Sequence, residues 1–429
     1  MAHKVPFATD EQVREAARAF PTPFYLYDEA GIRRRADEVA AAFAWNPGFR
    51  EHFAVKANPN PAIVGILAER GCGVDCATGT ELLLAREMGM GGDEVMFSSN
   101  ETSDADYRLA HAMGAVTNLD DLTQLDHYLR ACGSFAPAMS VRYNPGGTLE
   151  LANGIQGEPE GSKFGMTHDQ ALEAIRRLAD AGVPRLGVHA FLASNALGDD
   201  YYPALARMLF ELVVEVRERL GVRLSFVNLS GGVGVDYRPE EEPCDVARIG
   251  AGVRRAYEEV IGDPAAGEVA VLSEMGRFML APFGMLVTRV VGTKSTYREY
   301  LGCDACSADL MRPMLYDAYH HVTVVGRRDE PATRVYDVVG GLCENSDRLA
   351  HDRALPETRE GDLLLFHDAG AHARAMGYNY NGMLRPAEVL LTCDGSLRLI
   401  RRAETAADYF ATLDCLEIGK RLKEAPAWT

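Results

Sequence analysis

FAVKAN, residues 53–58, decides the fold. Phe53, Ala54 and Val55 read as a buried strand, and Lys56 stands at its carboxyl end. Asn58, Asn60 and Pro61 then break the strand. An amine at the carboxyl end of a parallel strand lies where barrel and open-sheet enzymes carry out chemistry. Outward from this stretch the same texture recurs, with apolar strand candidates at 51–56, 72–76, 94–98, 114–117, 138–143, 185–191, 223–229 and 269–273. Helical patterns lie between most of them, at 62–70, 80–88, 104–112, 168–181 and 202–219. Eight strands alternating with helices at this spacing predict an α/β fold closed into a (β/α)8 TIM-like barrel. An open doubly wound sheet is the alternative.

The two ends of the chain have a different texture. TPFYLYD, residues 22–28, is an early strand that either enters the barrel or stands outside it, and 29–43 is helical in pattern. After Phe283 the stretches MLVTRVVGTKST, TRVYDVVG, GDLLLFHD and AEVLLTCDGSLRLIRR are strand-like, and long helices are scarce until a terminal one expected at 404–423. The expected division is a barrel over 37–283 and a mostly β domain built from 1–36 plus 284–429.

Composition narrows the function classes. A chain of 429 residues, 47% hydrophobic, has ample material for two cores. The net charge of −18 disfavours nonspecific nucleic-acid or anionic-membrane binding. No run of 18 apolar residues occurs, so no membrane span is expected. The opening MAHKVPFATDEQ has no apolar signal core, and a cytoplasmic location is expected. The nine cysteines include one lone CxxC, Cys303 to Cys306, with no second pair to complete a site; no metal site is expected, and most thiols read as core or free.

Two further motifs carry chemistry. Ser230, Gly231, Gly232, Val233 and Gly234 close the strand FVNL, and glycines there let backbone N–H groups approach a phosphate. EMGR, Glu274 to Arg277, ends the next strand. A carboxylate there can hold a protonated pyridine nitrogen, and an arginine can hold an anion with a two-pronged fork. The bland readings are a tight turn and a strand-end ion pair. Taken with Lys56, these residues describe a pyridoxal phosphate site: Schiff-base amine, phosphate cradle and ring-nitrogen partner.

The chain resembles the pyridoxal-phosphate-dependent decarboxylases of basic amino acids on an alanine-racemase-like barrel, above all the diaminopimelate decarboxylases. The pieces are TPFYLYD, HFAVKAN, GCGVDCATGTEL, VRYNPG with SKFGM, SGGVG, EMGR, MRPMLYDAYH, GGLCENSDRLA and DAGAHARAMGYNYNGMLRPAEVLL. Their order and spacing are more specific than any one of them. The resemblance implies Lys56 as the Schiff-base residue, with Asp75 near it and Arg142 supporting the ring region. It implies that Ser194 and the backbone around Gly231, Gly232 and Gly276 serve the phosphate and its turn, and that Glu274 pairs with the ring nitrogen. Arg277, Arg312, Tyr316 and Glu344 would hold the far end of the substrate. Cys343 would sit near the reacting carbon, and Cys343 and Glu344 would serve the partner's lysine in a homodimer with shared sites.

Several positions depart from that family. Where HxHIGS is usual, this chain reads HAFLAS: His189 is kept, Phe191 replaces the stacking histidine, and Ala193 replaces a glycine. Phenylalanine can still stack but cannot donate a hydrogen bond or carry charge. Ser230 opens the usual three-glycine turn, Met275 replaces a proline, and His372 replaces the tyrosine expected beside phosphate and substrate. Tyr378 or Tyr380, in YNYN, could restore the lost phenol. The leading expectation is decarboxylation of meso-diaminopimelate to L-lysine. The alternatives are a decarboxylase of D-lysine, D-ornithine or a larger citryl- or carrier-linked amino acid, a racemase, and a non-catalytic pyridoxal phosphate binder.

Overall fold

The structure, a computed structural model, describes residues 4–147 and 158–424. A first strand, β1 (Phe24–Asp28), precedes eight that close on themselves: β2 (Arg50–Ala54), β3 (Gly73–Cys76), β4 (Val95–Ser98), β5 (Val116–Leu119), β6 (Ala138–Arg142), β7 (Arg185–His189), β8 (Phe226–Asn228) and β9 (Ala270–Ser273). Each pairs in parallel with the next, and β2 returns to β9, so the expected barrel is present and the open-sheet alternative is excluded. Polar residues collect at the carboxyl ends of its strands. Ser98, Arg142, His189 and Asn228 are the last residues of their strands, and the register aligns Arg142 with His189 and His189 with Asn228.

Local chemistry sets the turn that carries Lys56. The strand ends at Ala54, and Val55–Ala57 forms a single 3-10 turn. The Asn58 side chain accepts from the Asn60 N–H at 3.0 Å, and the Asn60 side chain accepts from the Ala62 N–H at 3.0 Å, capping the helix Pro61–Ala68. The three residues that break the strand therefore also start the helix.

The chain divides into two compact units. One comprises Ile32–Asp236 and Glu242–Met279 and contains the barrel; the described remainder, with Tyr237–Glu241, forms the other. That second unit is built on a mixed sheet. Its strands are β1 together with β10 (Gly284–Ser295), β11 (Glu299–Cys303), β12 (Val322–Val324), β13 (Arg334–Val339), β14 (Arg348–Leu355), β15 (Leu363–Phe366), β16 (Ala387–Leu391) and β17 (Leu397–Arg401). β1 lies between β10, antiparallel, and β16, parallel, so it belongs to this sheet and not to the barrel. Phe24, Leu26, Met285, Val287, Leu365 and Val389 share its core.

Other departures have local causes. The helix expected over 404–423 is two short ones, Ala406–Tyr409 and Glu417–Lys423. A helix the pattern did not give, Val246–Val260, contains Gly250 and Gly252, which lower helical propensity. Both glycines are needed for packing: a Cβ on Gly250 would lie 2.3 Å from the Ala42 carbonyl oxygen, and one on Gly252 would lie 2.4 Å from Pro203 Cγ. Among the described residues, no helix is long and apolar enough to cross a membrane.

The barrel interior is packed as tightly. Met96, Val116, Ala138, Phe226 and Leu272 form one buried cluster. A Cβ on Gly187 would stand 2.3 Å from the Phe226 ring, in the neighbouring strand. Gly187→Ala is therefore expected to lower unfolding free energy by about 1–3 kcal/mol through overpacking. Urea unfolding checks this, and adding Phe226→Leu should recover part of the loss.

Candidate active site

Glu274 follows β9 and is buried. Four side chains donate to its carboxylate. Asn228 Nδ2 at 2.7 Å and Ser98 Oγ at 3.2 Å reach Oε1, while Ser230 Oγ at 2.8 Å and His189 Nε2 at 3.1 Å reach Oε2. Burial opposes ionisation of this group, but His189, the Ser230 hydroxyl and the Lys56 charge outweigh it and hold the carboxyl below the ordinary range. Asp75, also buried, moves the other way: burial and the Glu274 charge push it well up, against the pull of Lys56. Two carboxyls in one site are thus pushed in opposite directions, Glu274 towards the charged form and Asp75 towards the protonated one.

Lys56 stands in this field. Its Nζ lies 5.6 Å from the centroid of the Phe191 ring, and Arg142 Cζ lies 5.9 Å from the same ring. Arg142 is held in turn by Phe164, 4.4 Å from that ring's centroid, and by Asp120 at 3.2 Å. Gly276 gives the Lys56 turn room, because a Cβ there would lie 2.8 Å from Ala57 Cβ. The turn after β8 is shaped for close approach. Gly232 has φ 110°, and a Cβ on it would lie 2.8 Å from Tyr201 and 2.9 Å from the Ala193 carbonyl. Arg277 donates to Ser194 Oγ at 3.4 Å.

The chain is similar to known proteins over most of its length. Residues 29–281 match the pyridoxal binding domain of the pyridoxal-dependent decarboxylases. The chain belongs to that family. It is 38% identical to Protein TabA of Pseudomonas amygdali pv. tabaci, over 92% of each chain. It is 34% identical to the diaminopimelate decarboxylase of Methanothermobacter thermautotrophicus, again over 92% of each. The crystal structure of diaminopimelate decarboxylase from M. jannaschii in complex with L-lysine superposes with a TM-score of 0.85 at 28% identity, covering 94% of each chain.

The cofactor of this pyridoxal-dependent decarboxylase is pyridoxal 5'-phosphate, and the barrel residues fit it. Asp75 Oδ1 and His189 Nδ1 are buried polar atoms with no hydrogen-bond partner among the described residues, beside an ionised Glu274 and an amine. The Gly231–Gly232 turn leaves no space for a Cβ, as a backbone cradle for phosphate requires.

The remaining residues singled out from the sequence lie in the other unit of the decarboxylase. Arg312 is buried; its Nη1 donates to His320 Nε2 at 2.9 Å, and its Cζ lies 4.5 Å from the Tyr237 ring centroid. His320 Nδ1 meets the His367 carbonyl at 2.8 Å, which fixes Nδ1–H as the donor and leaves Nε2 as the acceptor for Arg312. Tyr316 is exposed. Tyr380 donates to Glu344 at 2.9 Å, and the exposed Cys343 gives its backbone N–H to Asn381 at 2.8 Å. His372 is half-buried with φ 53°.

Sequence reading missed Asn228, Ser98, Tyr201, Tyr237 and His320. Only position could have found Asn228 and Ser98: both are polar residues closing an apolar barrel strand.

Glu51 was missed as well. It is buried on β2, and Ser273 Oγ and, at 2.7 Å, the Met275 N–H donate to its carboxyl. Burial wins over these bonds and pushes it up to about 8. The folded state therefore keeps a proton that the unfolded chain releases near the ordinary 4.5, so this group makes stability fall as pH rises from about 4.5 to about 8. In Glu51→Gln that contribution disappears. Urea unfolding of the cofactor-free protein between pH 5 and 8 should show a shallower decline in the variant, by up to about 1.4 kcal/mol per pH unit.

Proposed function

We propose that the chain decarboxylates meso-diaminopimelate at its D-configured end, giving L-lysine and carbon dioxide, in the cytoplasm. The observation that carries the reading is the ionised Glu274, fixed by donors from β4, β7, β8 and the turn after β8, in the barrel that also carries Lys56. Diaminopimelate decarboxylases aligning over 92% of this chain support the substrate. The cysteines, all free thiols, suit a reducing compartment.

Bound pyridoxal phosphate supplies a carbonyl for the substrate amine and a protonated ring that accepts the electron pair left when carbon dioxide departs. Lys56 Nζ would hold that carbonyl until substrate arrives. Glu274 would keep the proton on the ring nitrogen, with His189 and Asn228 fixing its oxygens. Gly231, Gly232 and Ser194 would receive the phosphate, and the Arg277 bond to Ser194 supports a phosphate role for Arg277 over a distal one. Phe191 would cover one ring face, with Arg142 beside it. Burial and the Glu274 charge disfavour a second negative charge on Asp75.

Arg312 and Tyr316 would bind the distal carboxylate, and Glu344 the distal ammonium. An enzyme for a simple diamine precursor has little reason to bury an arginine against an ammonium. Cys343 would return a proton to the carbon that lost carbon dioxide. His372 and Tyr380 would border phosphate and substrate.

A second reading keeps the chemistry and changes the amino acid. Identity to Protein TabA, 38%, exceeds the 34% to the Methanothermobacter enzyme, and Phe191, Ser230, Met275 and His372 alter the cofactor wall. D-lysine, D-ornithine or a larger citryl- or carrier-linked amino acid would then be the substrate. A decarboxylation panel over these compounds and meso-diaminopimelate separates the readings by kcat/KM. The expected result is preference for meso-diaminopimelate. Arg312→Lys, which keeps the charge and loses the fork, should lower that value roughly thirtyfold, about 2 kcal/mol, with little effect on D-lysine. Preference for D-lysine or D-ornithine sinks the substrate assignment.

We also propose a homodimer in which Cys343 and Glu344 complete the partner's site; both belong to the β-rich unit, and Cys343 is exposed. Mixing inactive Lys56→Ala subunits with inactive Cys343→Ala subunits should restore activity at one site per mixed dimer. No recovery after demonstrated subunit exchange argues against shared sites.

A further inference from the structure

Ser230 sits at φ 53°, in the left-handed region where a side chain is unfavourable and glycine is at ease. It is held there from three directions. Its N–H donates to Asn228 Oδ1 at 2.7 Å, its carbonyl accepts from Tyr202 OH at 2.5 Å, and its hydroxyl donates to Glu274 Oε2 at 2.8 Å. A buried non-glycine residue kept in that conformation by its neighbours points to a use for its side chain. The hydroxyl is turned to the carboxylate, whereas a phosphate-binding turn needs only its backbone.

We propose that Ser230 is a positioning residue that acts through Glu274, fixing and charging the carboxylate oxygen it shares with His189. The two donors on that oxygen differ. His189 donates from Nε2 only while that nitrogen carries its proton, but the serine hydroxyl donates at any working pH. Ser230 thereby makes the Glu274 charge less dependent on the state of the imidazole. The other groups facing Glu274 are the carboxyls of Asp75 and Glu51, the cations of Lys56 and Arg142, and His52 and Tyr202. None of these donates a hydrogen bond to it, so none replaces the hydroxyl.

The proposal rests on the reading of Glu274 as partner of the ring nitrogen, and the test separates the two. Ser230→Ala removes the hydroxyl and keeps the backbone strain; Ser230→Gly removes both and suits the left-handed turn, so it secures a folded variant. In cofactor-free protein labelled with carbon-13 glutamate, with the Glu274 signal assigned through Glu274→Gln, the Glu274 titration should move up by about one pH unit in both variants. With pyridoxal phosphate bound, the pH midpoint of its absorbance band should shift relative to the unaltered protein, alike in both variants. An unmoved Glu274 titration overturns the role of Ser230, whatever Glu274 does. A moved Glu274 titration with an unmoved absorbance midpoint overturns Glu274 as the ring-nitrogen partner, and the transmission through it.

Discussion

A negative charge buried at the mouth of an eight-stranded barrel is the constraint on which the site depends. Glu274 could not remain ionised there on solvation, since burial alone would raise its pKa. Four donors replace the lost water, and they come from chain segments far apart in sequence: Ser98 ends β4, His189 ends β7, and Asn228 and Ser230 end β8 and open its turn. Only barrel closure in the observed register brings these ends together. The charge and the fold therefore depend on each other: the strands gather the donors, and removing any donor exposes a buried carboxylate to the cost of desolvation.

The neighbouring acids show why the charge is favoured at Glu274. Asp75 and Glu51 both face Glu274 electrostatically, and both are pushed upward. Asp75 has no four-donor shell, and one of its oxygens has no hydrogen-bond partner among the described residues. Glu51 has two donors, too few to offset burial. Of these three buried carboxyls, the charged form is favoured at the one where the hydrogen bonds are most numerous.

Much of this was legible in the sequence and some of it could not be. The barrel strands are short apolar runs bounded by turn residues, and FAVKAN carries its own stop in Asn58, Asn60 and Pro61. Lys56, Glu274 and the Gly231–Gly232 turn stood out because rare chemistry occurs at strand ends. The shell around Glu274 did not. Ser98 and Asn228 are ordinary polar residues until the register aligns them, and β8 is only Phe226–Asn228. The helix Val246–Val260 was hidden by glycines required for packing. Tyr237, which stacks on Arg312, lies in a five-residue excursion, Tyr237–Glu241, that leaves the barrel unit. No local pattern encodes such an excursion, because contact between residues distant in sequence determines it.

Phe191 shows what a departure from the family pattern changes physically. An imidazole at this position could carry a positive charge beside two existing ones, the Lys56 ammonium and the Arg142 guanidinium. The phenyl ring offers its negative face instead, with Lys56 Nζ at 5.6 Å and Arg142 Cζ at 5.9 Å from its centroid. A source of cation repulsion becomes a weak attraction for both. The exchange also removes a donor and a titratable group from this position, leaving His189, already committed to Glu274, as the imidazole of this strand end. The imidazole that remains is the one bonded to Glu274, while Phe191 is a non-titrating ring beside Arg142, which also lies over Phe164. A hydrogen-bonded carboxylate and an aromatic face in one barrel offer the two kinds of contact a flat conjugated ring with polar edge atoms requires.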